Sequence, residues 1–497
     1  MELQNPFTIL FTSFLFLFLL LEIVKRSSSK NSYTNLPPGP WKLPFIGNIH
    51  QFVGSMPHHS MRDLAAKYGP IMHLKLGEVS NIIVSSAEIA SQIMKTHDAN
   101  FSYRPESLFA KIFSYNASDI EFSQYGDYWR QLRKICTVEL LSAKRVQSFR
   151  FIREEEVSKL AKIICTSEGS IVNLSPMISS LLHGISARSA FGKINKNQKI
   201  LISAIEEGIF LAGELWVSEF YPSLTVLQKL SKTKAKLEKL HIEADKILQE
   251  ILDDHKNKKS SESEDLIDVL LKFQNDKDSQ PPLTDDNIKA IGQEMFGGGG
   301  ETTSSTVVWC LSEMIKKPKV MEEAQAEVRK VYDNKGYVDE SELHQLIYLK
   351  AVIKETLRLH PPVPLLMPRE NKDSSKINGY DIPPKCKVLI NAFAIGRDPK
   401  YWNEPESFNP ERFLNSSVDY KGTDFEFIPF GAGRRICPGI TFAIPNMELP
   451  LATLLYHFDW KLPNGMKNEE LDMDESSGLA IKRKNDLCLI PIVTRMP

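Results

Sequence analysis

A single cysteine stands in a stretch otherwise built for tight turning. From Phe427 to Gly439 the chain reads FIPFGAGRRICPG, with Cys437 after two arginines and before a proline. Gly431 and Gly433 let the backbone turn sharply and come close to something flat or bulky. Pro438 suits the first turn of a helix, where a missing N–H is no loss. Cys437 is therefore expected where a loop enters a helix, with free N–H groups aimed at its sulfur. That setting, with Arg434 and Arg435 alongside, favours a thiolate. A thiolate held this way can attack a substrate or bind a metal.

Two other groupings could do chemistry or support it. In AIGQEMFGGGGETTSSTVVWCLSEMI, helical apolar spacing flanks Gly297, Gly298, Gly299 and Gly300. Each glycine costs about 1 kcal/mol against alanine, so four are expected to loosen or groove the helix and admit a large partner. Glu301, Thr302 and Thr303 follow, and an acid beside hydroxyls at a helix break can relay protons into a buried site. A phosphate-cradling loop is disfavoured, because both flanks are helical and no lysine closes the run. The GxSxG elbow of many hydrolases is absent. In KETLRLHPP, Glu355 and Arg358 lie three apart on one helix face that Pro361 and Pro362 end. NPERF adds Arg412. Alone, this would be an ordinary surface pair. Beside the other motifs it is expected to be a buried carboxylate–diarginine cluster that locks the region behind the cysteine loop. His360 next door is expected to be packed or capped, not a ligand.

A mainly helical body with a small β region must hold these groups. VMEEAQAEVRKVY places Met321, Ala324, Val328 and Val331 on one helical stripe, and IREEEVSKLAKII does so with Val157, Leu160, Ala161 and Ile164. Strand candidates are IMHLKLG, NIIVSS and KVLINAF. DDHKNKKSSESED, from Asp253 to Asp265, reads as a surface loop. A net charge of −1 provides no basic field for nucleic acid. Six scattered cysteines without a CxxC pair suit a reducing compartment better than a disulfide or zinc framework. The run from Phe7 to Val24 is long enough for one membrane span, with Lys25 and Arg26 on its far side, so the body is expected in the cytosol. A polar stretch and LPPGPWKLP, stiffened by Pro37, Pro38, Pro40 and Pro44, follow. The expected organisation is an anchor over 1–26, a hinge over 27–45 and a catalytic domain over 46–497.

In order and spacing these pieces resemble the cytochrome P450 superfamily, over the whole chain. FGAGRRICPG resembles its haem-binding signature, Glu355 and Arg358 its E-x-x-R pair, and GGGGETT its oxygen-activating helix. The anchor and LPPGP resemble the plant microsomal members. The resemblance implies a cytochrome P450 fold with one large haem domain on the endoplasmic reticulum membrane. It implies haem b with Cys437 as axial ligand of the iron, and electrons from NADPH through a separate reductase. Trp129 and Arg133 in GDYWRQLRK, Arg369 in LLMPRE, and Arg435 would contact the haem propionates, and Phe430 the haem. Glu301 and Thr302 would relay protons during dioxygen activation, so a hydrophobic substrate is hydroxylated or epoxidised. Relatives that rearrange hydroperoxides often lack this acid–threonine pair. Arg130, Lys134, Lys144 and Arg145 are a candidate docking face for an acidic reductase.

Positions matching the family's substrate-contacting segments are apolar: Phe210, Leu211, Leu215, Met295, Phe296, Val363, Leu365, Leu366, Leu479 and Ala480. No charged residue is an obvious anchor, which favours a hydrocarbon or weakly polar substrate held by buried area. HHSMRDLAAKYGPIMHLKLGEVS, VELLSAKRVQSFRFIREEEV and LLYHFDWKLPNGM look like one plant subfamily rich in terpenoid oxidases. That subfamily includes limonene hydroxylases, sesquiterpene oxygenases and an indole-alkaloid hydroxylase. FAIPNMELPLA looks most like its casbene-type diterpene oxidases. The implied substrate is a terpenoid, with a diterpene slightly ahead and an alkaloid or phenylpropanoid as the alternative. A hydroperoxide isomerase and a haem-binding protein without turnover are the other readings. Pro445 is expected to kink the helix after Cys437.

Overall fold

The computed structural model describes residues 35–192, 197–214, 219–224, 231–257, 264–275, 282–476, 478 and 480–497. The expected anchor, residues 27–34 of the hinge, Leu215 and Leu479 lie outside these. Among the described residues no helix is long and apolar enough to cross a membrane. The proline-rich arm, where described, is fastened to the body. His73 N donates to Pro38 O at 2.9 Å, and Asn48 Nδ2 to the carbonyls of Pro40 (3.1 Å) and Trp41 (2.9 Å).

Helices dominate. Those that position the site are α1 (Asp127–Lys134), α2 (Arg150–Cys165), α3 (Leu174–Phe191), α4 (Gln198–Glu214), α5 (Lys232–Asn257), α6 (Asp285–Lys316), α7 (Pro318–Tyr332), α8 (Ile347–Leu359) and α9 (Ile440–His457). The core forms around α6, which packs on α3, α9, α8 and α5. Its start is set by a capping box: Thr284 Oγ1 accepts from Asn287 N at 3.2 Å, while Asn287 Oδ1 accepts from Thr284 N at 2.9 Å. Asp285 and Asp286 in its first turn complement the helix dipole. On α2, Val157, Leu160, Ala161 and Ile164 are buried, and so is Arg153, which forks onto Glu340 at 2.6 and 2.7 Å. On α7, Met321, Ala324 and Val328 are buried, with Tyr332 closing the stripe. The expected surface loop begins later than Asp253, because α5 continues to Asn257.

The main sheet pairs β1 (Ile71–Leu76) antiparallel with β2 (Val79–Val84). In turn, β2 runs parallel to β4 (Lys387–Ile390), and β3 (Arg369–Glu370) closes antiparallel on β4. The register sets Arg369 opposite Val388. KVLINAF is strand only to Ile390: Asn391 then caps a short helix by accepting from Ala394 N at 3.0 Å. Near the C-terminus β5 (Glu475–Ser476) and β6 (Lys482–Arg483) form a small hairpin. It is tied to the core by Ser305 Oγ donating to Ile481 O at 2.7 Å and Ile481 N to Pro362 O at 2.8 Å.

Candidate active site

The cysteine loop turns on Gly431 and Gly433, both at positive φ (72° and 70°). At Gly433 a Cβ would lie 2.1 Å from Met94 O, so nothing larger fits. Asp98, buried behind the loop, accepts from Arg434 N (2.8 Å) and Arg434 Nη1 (3.1 Å), and from Arg369 Nη1 (2.9 Å). Arg369 Nη2 donates to Ala432 O at 2.8 Å. Cys437 N donates to Phe430 O at 3.0 Å, and Gly439 N reaches Cys437 Sγ at 3.4 Å. One expectation changes. Helix α9 starts at Ile440 with Gly439 as its cap, so Pro438 precedes the first turn. The helix then runs through both Pro445 and Pro450. Burial raises the Cys437 thiol above its ordinary pKa, with the Gly439 N–H and Arg133 opposing. The polypeptide alone does not make a thiolate here; a cation at the sulfur would.

Cys437 faces a cavity of about 330 Å3, also lined by Trp129, Arg133, Arg369, Phe430 and Arg435. Arg104 joins them. Arg435 donates to the carbonyls of Ser102 (2.9 Å), Ile120 (3.2 Å) and Ser123 (2.6 Å), and its guanidinium stacks 4.5 Å above the Trp129 ring. Arg133 Nη1 donates to Ile436 O at 2.6 Å. The Trp129 indole N–H is committed to Ile120 O at 3.0 Å, so Trp129 meets the cavity as a ring. Burial, then repulsion from Arg104 and Arg369, push Arg435 down to about 8; burial and Arg369 push Arg104 down to about 10. Among the described residues Arg104, Arg133 and Arg435 have no ion-pair carboxylate. Crowded buried guanidinia facing one cavity call for a dianion, and a sulfur ligand shares that cavity. A haem, with an iron and two propionates, fits this donor set.

Opposite the cysteine runs α6. It is not broken at its glycines but continues as one helix to Lys316, and Gly297, Gly298 and Gly299 line the cavity, as expected of a helix grooved for a large partner. At Gly297, Gly299 and Gly300 neighbours take the place of the missing side chains, while Gly298 faces open space. A Cβ at Gly300 would sit 2.5 Å from His183 Cδ2, and one at Gly297 3.0 Å from Ile205 Cγ2. Packing on both sides holds helical what propensity alone would loosen. Glu301 and Thr302 both line the cavity. Thr302 Oγ1 donates back to Gly298 O at 2.9 Å. Glu301 is buried, with Oε1 2.5 Å from Lys482 Nζ and Oε2 without a hydrogen-bond partner. His183, whose Nε2 is also unpartnered, and Glu206 lie beside it, with donor atoms within 4.8 Å of one another.

Behind the cysteine loop, Glu355 and Arg358 are fully buried. Arg358 donates Nε to Oε2 and Nη2 to Oε1 of Glu355, both at 2.7 Å, and its Nη1 to the carbonyls of Gly396 (2.7 Å) and Pro405 (2.6 Å). Arg412 Nε (3.0 Å) and Asn409 N (2.8 Å) complete the carboxylate. His360 stacks on Trp309 with ring centroids 4.1 Å apart and hydrogen-bonds Glu313 at 2.7 Å.

Of the expected pocket residues, Met295, Val363, Leu366 and Ala480 line the cavity. Phe210 does not: it is 51% exposed, because α4 turns Ile205 and Ile209, four apart, toward the cavity instead. Leu211 and Phe296 are core, and Leu365 packs with Met72 and Leu76 below the main sheet. The expectation of an uncharged pocket is overturned as well. Asp119, Glu121 and Glu294 line it, with Gln293. Asp119 and Glu121 sit in SDIEF, a loop with no helical or strand period, so nothing local announces where they point.

Comparison with known proteins places the chain. The family model "Cytochrome P450" matches residues 37–489. Cytochrome P450 71D10 of Glycine max is 64% identical, with all of both chains covered. Tabersonine 16-hydroxylase 2 of Catharanthus roseus is 53% identical over 97% of this chain and 96% of its own. Desmethyl-deoxy-podophyllotoxin synthase of Sinopodophyllum hexandrum is 51% identical, with 97% and 96% covered. A zebra fish cytochrome P450 solved with progesterone shares the fold at 24% identity, with a TM-score of 0.76 over 88% of this chain and 99% of that one. The chain thus belongs to the cytochrome P450 family, as a haem-thiolate monooxygenase that takes its electrons from NADPH through a reductase.

Proposed function

We propose that this monooxygenase oxidises a hydrophobic alkaloid or phenylpropanoid rather than the terpene hydrocarbon implied by the subfamily resemblance. One observation carries the reading: the cavity wall holds charged and amide side chains, Asp119, Glu121, Glu294 and Gln293. A hydrocarbon offers such groups no partner, at about 1–3 kcal/mol for one left unpaired; a guest with heteroatoms does. Relatives named for tabersonine and for podophyllotoxin chemistry support it.

When bound, haem supplies the activation of dioxygen. The chain's own part follows from its geometry. Cys437 would hold the iron, and Arg104, Arg133, Arg369 and Arg435 the propionates, with Trp129 and Phe430 as apolar walls. Glu301 would carry protons inward from the side of Lys482, and the Thr302 hydroxyl, hung from Gly298 O, would hold a proton at its Oγ1 on the cavity wall. Met295, Val363, Leu366 and Ala480 hold the apolar skeleton and exclude water. The Phe7–Val24 run anchors the protein in the endoplasmic reticulum membrane. The reductase docks by the exposed Lys134 and Lys144, while Arg130 pairs with Asp127 and Arg145 with Glu264.

Co-expression with a plant reductase tests this. Terpene hydrocarbons, alkaloids and phenylpropanoids are offered, and products are read by mass spectrometry. The reduced, carbon-monoxide-bound spectrum serves as the control for intact thiolate haem. An NADPH-dependent product one oxygen heavier is expected from an alkaloid or phenylpropanoid. Products from terpene hydrocarbons alone would return the terpenoid reading.

A further inference from the structure

Of the three carboxylates in the cavity wall, Glu121 has less company than burial demands, while Asp119 also has Ser114 and Arg435 beside it. Asp119 Oδ1 accepts from Phe122 N at 2.7 Å, and Glu294 Oε2 from Ile120 N at 2.8 Å. Arg104 is the cation that acts on all three. Its donors go to carbonyl oxygens: Glu121 O (2.7 Å), Met367 O (3.1 Å) and Pro368 O (2.8 Å). Among the described residues the Glu121 carboxylate accepts no hydrogen bond and forms no ion pair. Burial, and then Asp119, raise Glu121 to about 7, with Arg104 opposing.

A separate observation points the same way. Gln293 is 5% exposed, donates Nε2 to Phe113 O at 2.9 Å, and is left with Oε1 unpartnered on the same wall. With the arginines of the cavity given to the propionates, the wall keeps free acceptors and an unpaired carboxylate, a combination that selects a cationic donor. Glu121 and Glu294 both act electrostatically on Cys437, so this patch overlooks the reaction centre. Phe109 and Phe122 flank it with apolar surface.

We propose that Glu121, with Asp119, Glu294 and Gln293, recognises a protonated amine, so that the substrate is a basic alkaloid bound through its ammonium nitrogen. This rests on the proposed function and narrows it to the cationic branch. The ammonium loses its hydration on entry, and an ion pair with Glu121 together with the Gln293 carbonyl replaces it. The apolar skeleton then lies toward Met295 and Val363, over the haem.

The test uses the haem-loaded full chain and two probes of one shape. These are imipramine, a tricyclic tertiary amine, and its isostere with isopropyl in place of dimethylamino. Binding is read from the shift of the haem absorption band on displacement of water, and the carbon-monoxide spectrum fixes the concentration of intact protein. The wild type is expected to bind the amine about tenfold or more tighter than the isostere. Glu121→Gln is expected to abolish that preference without weakening the isostere, and Glu121→Asp to restore part of it. No preference in the wild type, or a preference that survives Glu121→Gln, overturns the inference. Oxidation of neutral phenylpropanoids with no preference for amines would sink it too, yet leave the proposed function standing. Oxidation confined to terpene hydrocarbons overturns both.

Discussion

Replacing Arg358 by alanine should damage the protein more than any comparable change at its surface. The substitution removes both 2.7 Å bonds to Glu355 and the donors held by Gly396, Pro405 and Ser407. Glu355 stays buried and charged, keeping only Arg412 Nε and Asn409 N. Breaking one side of a buried pair costs about 3–5 kcal/mol, a large share of the roughly 5–15 kcal/mol that holds a domain together. Arg412→Ala removes one 3.0 Å bond to the same carboxylate and the donors held by the carbonyls of Asn403, Glu404 and Ser407, from a side chain that is 11% exposed, and leaves Glu355 its fork with Arg358, so about 1–2 kcal/mol is expected. Arg358→Lys keeps the charge but cannot fork, and should fall between the two. Urea titration followed by tryptophan fluorescence, with haem retained per chain as a second readout, ranks the three variants. Equal losses for Arg358→Ala and Arg412→Ala, or a loss below about 1 kcal/mol for Arg358→Ala, would refute the reasoning.

Three other outcomes follow from geometry already described. Gly300→Ala drives a methyl into the His183 ring and should cost about 1–3 kcal/mol. Gly298→Ala meets nothing within 4 Å and should gain up to about 1 kcal/mol; thermal midpoints separate them. His73 is lowered from 6.5 to about 4 by burial first, then by Lys42 and Lys75. The unfolded chain therefore takes up the proton first, and stability complete above pH 6.5 falls on acidification toward 4. Between pH 7 and 5 the wild type should lose about 2 kcal/mol more than His73→Gln, by urea midpoints at each pH. Arg435→Ala should release haem to apomyoglobin about tenfold faster, since a buried propionate partner is gone.

What the sequence made legible was local. Cys437 is locatable because glycines and a proline punctuate its loop, and Glu355 meets Arg358 because residues three apart share a helix face. Asp98, Arg104, Glu121 and Lys482 come from loops and strand ends whose directions are set by packing far along the chain. In hindsight, an arginine before a proline in SYRPES was a signal for Arg104. The misplaced Phe210 shows a different limit: GIFLAGELW is apolar around the whole helix, so periodicity could not choose its phase. At the glycines, propensity was counted but the side chains that pack against Gly297, Gly299 and Gly300 and keep the helix whole were not. The thiolate expectation weighed nearby charges and omitted the desolvation of the sulfur.

The small C-terminal hairpin gives the molecule a form of quality control. Ala480 touches the guest's side of the cavity, and two residues on Lys482 grips Glu301. Ile481 between them is pinned to both α6 and the turn after α8. A guest that presses badly on Ala480 also shifts the ammonium that steadies the acid. Fit and proton supply would then fail together, so a poorly seated molecule wastes fewer electrons than two independent devices would allow.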